Sequence, residues 1–495
     1  MERWSSRLGA LMALIGGAVG LGNFLRFPFQ AAKWGGGAFL ILYLIALLIV
    51  GLPMVWIEMA LGQAGGKQGY QSAPALLHST AGKRGWLIGL MGVYVSLGVA
   101  AYYAYLTGWT LGYAYHALVG TFKDMRLEEV RSFFPAFLKE EAVYAWIGVW
   151  GLTAIVLRQG LRAGLEKVNL WGMPLLFLLG VGIAIGAIAL GATGVCDTCD
   201  SHKGIAYLYL PRWEALSQPA VWLAAAGQVF FSIGVGFAMY PVYAASTTNL
   251  SVVREGTLTV AANTFAEVVL GGLIIVPITT AFLGLPYVKE QAGFGLGFAV
   301  MPYVLGQWGG NILIFAWYLL LFLAAFSSHL AMGWVAMTWL AETLGGTPQR
   351  WTWLFIGIGL LMGLPIVIDA GGDLLNLYDY WVGTLFLVLA ALGHWWVFVS
   401  YAPHTLKLPS FLQIVLRRIT PIFLILLLIG SFFQPEGGDW IRAWKHLLQE
   451  GSWLWAEDAL PIWFARKAFA TPLHAVGWFM LLGSAVLLLF LRKRE

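Results

Sequence analysis

The sequence predicts an all-α integral membrane protein of twelve transmembrane helices, two of them broken, and three observations carry that prediction. Hydrophobic residues make up 60% of the chain and charged residues 11%, against roughly 45–50% and roughly 25% in soluble domains. Twelve apolar stretches are each long enough for a hydrocarbon core about 30 Å thick, which takes about 20 residues at about 1.5 Å rise. Finally, the first and sixth stretches are interrupted by glycines and followed by proline.

The stretches lie near 8–33, 37–64, 86–116, 142–158, 168–192, 217–246, 252–283, 308–344, 351–369, 372–400, 410–432 and 470–491. Most loops are short, so residues 1–495 read as a single transmembrane domain. The longest polar insertions fall near 117–141, 193–216 and 433–469, and the last interleaves Trp440, Trp444, Trp453 and Trp455 with charge, as an interfacial helix does. Arg3 and Arg7 ahead of an apolar run look like a signal peptide. No small-residue cleavage site ends that run, however, and Arg26-Phe-Pro28 continues it, so the segment is expected to stay as the first span.

Lys and Arg collect on one side of such a bundle: Lys67, Lys83, Arg84, Arg158, Arg162, Lys167, Arg254, Arg350, Lys407, Arg417, Arg418 and Arg492-Lys-Arg494. Most acids, including Glu128, Glu129, Glu140, Glu141, Asp197, Asp200, Glu436, Asp439, Glu457 and Asp458, fall on the other. Positive residues favour the cytoplasmic side, which places both termini there. The net charge of +5 follows from this bias. No basic stripe with interleaved aromatics lies on a soluble face, so nucleic acid is not an expected partner. Cys196 and Cys199 sit in an outer loop beside Asp197, Asp200 and His202. A zinc site, a local disulfide and free thiols all remain open there, zinc being short of thiolate ligands.

The first interruption is Gly16-Gly-Ala-Val-Gly-Leu-Gly-Asn-Phe-Leu-Arg-Phe-Pro28, and the sixth stretch has Ile233-Gly-Val-Gly-Phe-Ala-Met-Tyr-Pro241. Unsatisfied backbone groups cost several kcal/mol in hydrocarbon, so irregular backbone persists only where it is buried in protein or lines a cavity. Close helix packing explains Gly16 with Gly20, but it leaves Asn23 and Arg26 at membrane depth unexplained. Two broken helices five spans apart run in opposite directions, the sign of an inverted repeat with one midplane site and alternating access. The repeats span about 1–192 and 217–400, with helices 11 and 12 at about 410–491.

Other motifs join this run: Trp4-Ser-Ser-Arg-Leu-Gly9, Gln30-Ala-Ala, Gly35-Gly-Gly-Ala-Phe39, Gly51-Leu-Pro with Glu58, Tyr102-Tyr-Ala-Tyr105 and Trp109-Thr-Leu-Gly112. Further along come Gly227-Gln-Val-Phe-Phe231, Asn263-Thr-Phe-Ala-Glu267, Ser327-Ser328 and Asp379-Tyr-Trp-Val-Gly-Thr384. With them the chain resembles the neurotransmitter:sodium symporter family, most closely its bacterial amino-acid members, over essentially its full length. The resemblance implies a LeuT-type fold with a 5+5 inverted repeat and broken helices 1 and 6. It also implies sodium-coupled amino-acid symport across a bacterial-type cytoplasmic membrane, with the lipid bilayer and a small-molecule amino acid as partners; monomer and homodimer stay open.

Residue by residue, the resemblance implies two Na+ sites. One takes the carbonyl of Ala18, the amides of Asn23 and Asn263, the hydroxyl of Ser232 in place of a threonine, and the substrate carboxylate. The other takes the carbonyls of Gly16, Val19 and Ala324 with the hydroxyls of Ser327 and Ser328. The substrate carboxylate is expected at the broken-helix amides around Gly20 and Gly22, where the dipole is positive, and Tyr103 donates to it. Glycine at position 20, where monoamine-transporting relatives carry aspartate, points to a free amino acid. Val99, Phe231, Phe237 and Met332 would make the side-chain pocket apolar. Gly234, Ser328 and His329 complete the substrate set. Gly234 is expected to leave room for side chains larger than leucine, and His329 to be either satisfied by a neighbour or part of the pocket floor.

Arg26 and Asp379 are the expected outer gate, above a lid of Phe231 and Tyr102. Glu58 and Gln228 are expected to tie the second helix to the sixth. Glu267 stands one turn from Asn263, where chloride-dependent relatives carry serine, and so implies chloride independence. The inner gate departs from the family. Trp4 is present, the partner arginine's position falls on Met1, and Glu342 replaces an aspartate, leaving Arg3 or Arg7 as its expected partner.

An intramembrane enzyme is disfavoured. Glu58, Glu267, His329 and Asp379 are scattered over separate helices without a nucleophile–base or metal motif. Proton coupling on the same fold, or a receptor or channel that binds amino acid without transport, are the remaining alternatives.

Overall fold

The computed structural model describes residues 2–247, 250–290, 295–433, 440–455 and 471–490. Among the described residues eight helices are long and apolar enough to cross a membrane unaided: Gly37–Gly66, Ala73–Val119, Leu161–Leu190, Val252–Lys289, Met301–Leu344, Pro348–Ile368, Asp373–Tyr401 and Ser410–Gly430. Four shorter or bent segments complete the twelve predicted spans: Arg7–Ala18 with Gly22–Lys33, Ala142–Leu157, Pro219–Ile233 with Met239–Ala245, and Pro472–Phe490.

The third and eighth helices begin earlier than hydropathy predicts. A short helical segment, 73–80 and 301–309, precedes each and joins it through a non-helical break, at Ala81 and Gly82 and at Gly310. The insertion after the third span forms helix Leu127–Glu140, bent by 64° from Ala142–Leu157. Its Phe134 and Phe137 pack edge-on against Trp109 and Tyr113, so this outer helix rests on the upper third span. Trp440–Glu450 is helical as predicted for the last insertion; Glu436, Asp439, Glu457, Asp458, Arg492 and Arg494 lie outside the described residues.

Cys196 and Cys199 form a disulfide, which settles the open alternatives for that loop. No group of three His, Cys, Asp or Glu side chains able to hold a metal occurs among the described residues.

Both predicted breaks are present. Ser6 caps the first helix by accepting from the Gly9 amide at 2.9 Å. Helical geometry stops at Val19 (φ −74°, ψ 116°) and resumes through a wide turn at Gly22–Arg26, the two halves bending by 47°. Pro28 lies inside the outer half, directly after the wide turn at Gly22–Arg26. The sixth helix ends at Ile233, passes through Gly234 at φ +72° and Gly236 at φ +92°, and resumes at Met239.

Candidate ion and substrate sites at the helix breaks

Freed carbonyls are the chemistry a hard cation needs, and a helix interior supplies none. At the first break they converge on one hydroxyl. Ser328 Oγ lies 3.2 Å from the Gly16 carbonyl, 3.0 Å from that of Val19 and 3.2 Å from that of Ala324. Ser327 Oγ donates to the Ala324 carbonyl at 3.0 Å. All five residues expected for the second sodium site are therefore gathered at one point.

A second polar cluster lies beside it. Asn23 Nδ2 donates to Asn263 Oδ1 at 2.9 Å, and Asn263 Nδ2 donates to Ser232 Oγ at 2.7 Å. Asn23 Oδ1 accepts from the Gly20 amide at 2.8 Å, which ties the cluster to the break itself. Asn23, Ser232 and Asn263 are all buried. Ser232 Oγ in turn donates to Glu267 at 2.5 Å; Tyr43 donates to the same carboxylate at 2.6 Å, and so does the Gln228 amide.

Ala18, Gly20, Gly22, Asn23, Val99, Tyr103, Phe231, Ser232, Gly234, Phe237, Ser328 and Met332 line one cavity of about 50 Å3 together with Gly17 and Met239. Polar groups sit at the first-helix end and apolar ones opposite, which suits a charged head and an apolar side chain. The Tyr103 hydroxyl accepts from the Leu21 amide at 3.0 Å. A Cβ on Gly20 would stand 2.8 Å from that hydroxyl and 3.2 Å from Ser328 Oγ, so this position has no space for an acidic side chain.

Above lies a vestibule of about 530 Å3 lined by Arg26, Lys33, Tyr102 and Asp379, and it shares Gly22, Tyr103 and Phe231 with the lower cavity. Phe231 is thus the partition between the two. The Arg26 guanidinium stacks 4.4 Å over the Phe231 ring, and Tyr102 donates to Asp379 at 2.7 Å. No direct Arg26–Asp379 ion pair occurs among the described residues.

Four expectations require correction. His329 does not line the cavity. It is fully buried, packs edge-on against Trp150 at 5.0 Å, and neither ring nitrogen has a hydrogen-bond partner among the described residues. It follows Ser328 by about 100° of helix rotation and so faces the fourth helix instead.

Gly234 does not leave room. The Cε of Met239 fills the space that a Cβ there would take.

Gln228 does not join Glu58. Instead Glu58 Oε1 accepts from the Gly236 amide at 2.8 Å and lies 2.7 Å from His394 Nδ1, so it holds the sixth-helix break to the second and tenth helices.

Glu342 pairs with neither Arg3 nor Arg7. It accepts from the backbone amides of Gln71 at 2.7 Å and Ser72 at 3.1 Å and from the Ser72 hydroxyl at 2.5 Å, capping the helix that begins at Ala73. Arg7 instead pairs with Glu255. Trp4 donates to the Tyr243 carbonyl at 2.9 Å, and the amides and hydroxyls of Ser5 and Ser6 all donate to Glu166. Met1 lies outside the described residues.

Met239, Glu166 and His394 are thus contacts that sequence patterning did not single out. The only local signal was for Met239, which sits two residues before Pro241 inside the broken segment.

Two opposed broken helices around a polar, ion-sized cluster define a secondary transporter of the inverted-repeat class. A model of the sodium:neurotransmitter symporter family matches residues 1–124 and 188–436, and the chain belongs to that family. It is 26% identical to an uncharacterized sodium-dependent transporter of Haemophilus influenzae, over 87% of this chain and 98% of that one. It is 25% identical to the sodium-dependent serotonin transporter of Drosophila melanogaster, over 96% and 81%. Among solved structures it is similar to MhsT in complex with L-phenylalanine, with a TM-score of 0.77 and 26% identity, covering 87% of this chain and all of that one. The chain therefore has the LeuT-type transporter fold, is not an enzyme, and belongs among sodium-dependent symporters.

Proposed function

We propose that the protein carries neutral, mainly hydrophobic amino acids, aliphatic to aromatic, by sodium-coupled symport with alternating access and without a chloride requirement. The observation that carries this reading is the convergence of the Gly16, Val19 and Ala324 carbonyls on Ser328, next to the Asn23–Ser232–Asn263 cluster and beneath an apolar cavity. Two Na+ sites follow from the two clusters. The substrate carboxylate completes the one at Asn23, which makes ion and substrate binding mutually dependent. Val99, Phe231, Phe237 and Met332 disfavour charged side chains, because an unpaired buried charge is costly. That a similar protein was solved with L-phenylalanine supports an aromatic substrate. Glu267, a fixed carboxylate held by Ser232, Tyr43 and Gln228, supports chloride independence. The side on which Lys and Arg collect supports cytoplasmic termini.

Uptake of each amino acid into proteoliposomes, driven by a sodium gradient and then by a proton gradient alone, tests the reading. Phenylalanine, leucine and methionine should accumulate only with sodium, and gluconate should replace chloride without loss. Equal uptake with a proton gradient in sodium-free buffer refutes sodium coupling. Binding without accumulation makes the protein a receptor.

A further inference from the structure

Asn169 is 1% exposed and stands near the start of helix Lys167–Leu190 in the fifth span. Its Nδ2 donates to the Leu165 carbonyl at 2.8 Å. A carbonyl can only accept, so the oxygen end of the amide must face away from it. There Oδ1 meets the first helix. A Cβ on Gly16 would collide with this oxygen and would stand 3.1 Å from Ser327 Cβ, so Asn169 Oδ1 sits where two residues of the second ion cluster come together. Oδ1 has no hydrogen-bond partner among the described residues, and a buried acceptor left in that state is costly.

The corner it faces is short of hydrogens. In an unbroken helix the Gly16 and Val19 carbonyls would accept from the amides of Gly20 and Asn23. At the break the Gly20 amide goes to Asn23 Oδ1 at 2.8 Å and the Asn23 amide to the Gly20 carbonyl at 3.2 Å, so both carbonyls are released. The Ser327 hydroxyl is committed to the Ala324 carbonyl. What remains is the single Ser328 hydroxyl hydrogen, which faces the Gly16, Val19 and Ala324 carbonyls and leaves none for Asn169. Buried oxygens that outnumber their hydrogens are the donor set of a hard cation. Gly16 and Val19 belong to the first helix and Ala324, Ser327 and Ser328 to the eighth, whereas Asn169 comes from a third element packed against both.

We propose that Asn169 Oδ1 is a further ligand of the sodium ion at the Gly16–Ser328 cluster, supplied by the fifth helix, and that it makes this site prefer sodium to lithium. The inference rests on the sodium-coupled reading above and adds to it one oxygen and a selectivity. The ion then draws ligands from three helices instead of two. Lithium, the smaller ion, closes its shell with fewer oxygens, so an extra oxygen held in place by the Leu165 carbonyl favours sodium.

The test is equilibrium binding of radioactive sodium to the purified full chain without amino acid, with lithium as competitor. Under these conditions the Asn23 cluster lacks the substrate carboxylate that completes it, so binding reports the Ser328 cluster. Asn169→Ala should weaken sodium binding by at least about tenfold and lithium binding by less. Asn169→Asp keeps an oxygen but loses the donor to Leu165, and it should bind sodium at least as tightly as the unmodified protein. A purely structural role through Leu165 impairs both variants alike and leaves the sodium-to-lithium ratio unchanged; that result overturns the proposal. Ser328→Ala separates the proposal from the reading beneath it. If Ser328→Ala loses sodium while Asn169→Ala binds it unchanged, Asn169 is no ligand and the sodium site stands. If the unmodified protein binds no sodium, the reading and the proposal fall together.

Discussion

The terminal methyl of Met239 occupies the space that a side chain on Gly234 would fill, and its sulfur stands 2.9 Å from where a Cβ on Gly17 would be. One unbranched thioether, with three rotatable bonds, thus plugs the gap between the two helix breaks. Such a side chain yields to a ligand more readily than a β-branched one.

Met239→Ala should therefore enlarge the cavity and shift selectivity toward tryptophan over leucine by about tenfold, in line with the roughly 1–3 kcal/mol that pocket room is worth. Gly234→Ser should weaken binding of every amino acid alike, since φ +72° and the Met239 contact both oppose a side chain there. Competition binding with leucine, methionine, phenylalanine and tryptophan reads both effects. An unchanged ranking in Met239→Ala would show that the thioether does not set pocket size.

Ser328→Ala should raise the sodium concentration needed for half-maximal substrate binding by at least about tenfold. It deletes the hydroxyl on which three carbonyls converge; the Ala324 carbonyl keeps Ser327, while those of Gly16 and Val19 lose this partner. Ser327→Ala should cost less, its hydroxyl serving the Ala324 carbonyl alone. Sodium titrations of radioligand binding decide the order, and the reverse order would move the ion away from Ser328.

Arg26→Gln and Asp379→Asn should each slow transport, and in a double-mutant cycle the losses should be non-additive by about 0.5–3 kcal/mol. In this structure Arg26 stacks on Phe231 while Asp379 holds Tyr102, so Tyr102→Phe should reproduce part of the Asp379→Asn effect. Additive losses for Arg26 and Asp379 would mean that the two never meet during the cycle.

On the inner side, Arg7→Gln and Glu255→Gln should couple strongly, because they remove the two halves of one ion pair. Glu342→Gln should add independently to Arg7→Gln and should act through the stability of the helix starting at Ala73, by about 0.5–2 kcal/mol as a lost cap does. Thermal unfolding together with labelling of a cysteine introduced on the inner face measures both. Strong coupling between Glu342 and Arg7 would restore the gate expected from sequence.

The sequence by itself determined the twelve spans, the two breaks and the polar residues placed at them. Apolar run length, Gly-x-Gly before proline, and an amide or hydroxyl at membrane depth are all local signals that survive without knowledge of neighbours. Asn23 is legible in this way, whereas Ser232, Asn263 and Ser328 are implied only by the resemblance to the family. Which partner each longer side chain takes was decided by the tertiary structure alone. His329 lies one residue from Ser328 yet faces Trp150, because the rotational phase of the eighth helix is set by its packing. Gly234 reads as vacant space in one dimension and is filled by Met239 in three. Glu58 finds His394 at a sequence distance of 336 residues, and the part-buried Glu342 finds Ser72 at 270, because a carboxylate withdrawn from water must settle on whatever donors the assembled helices bring to it.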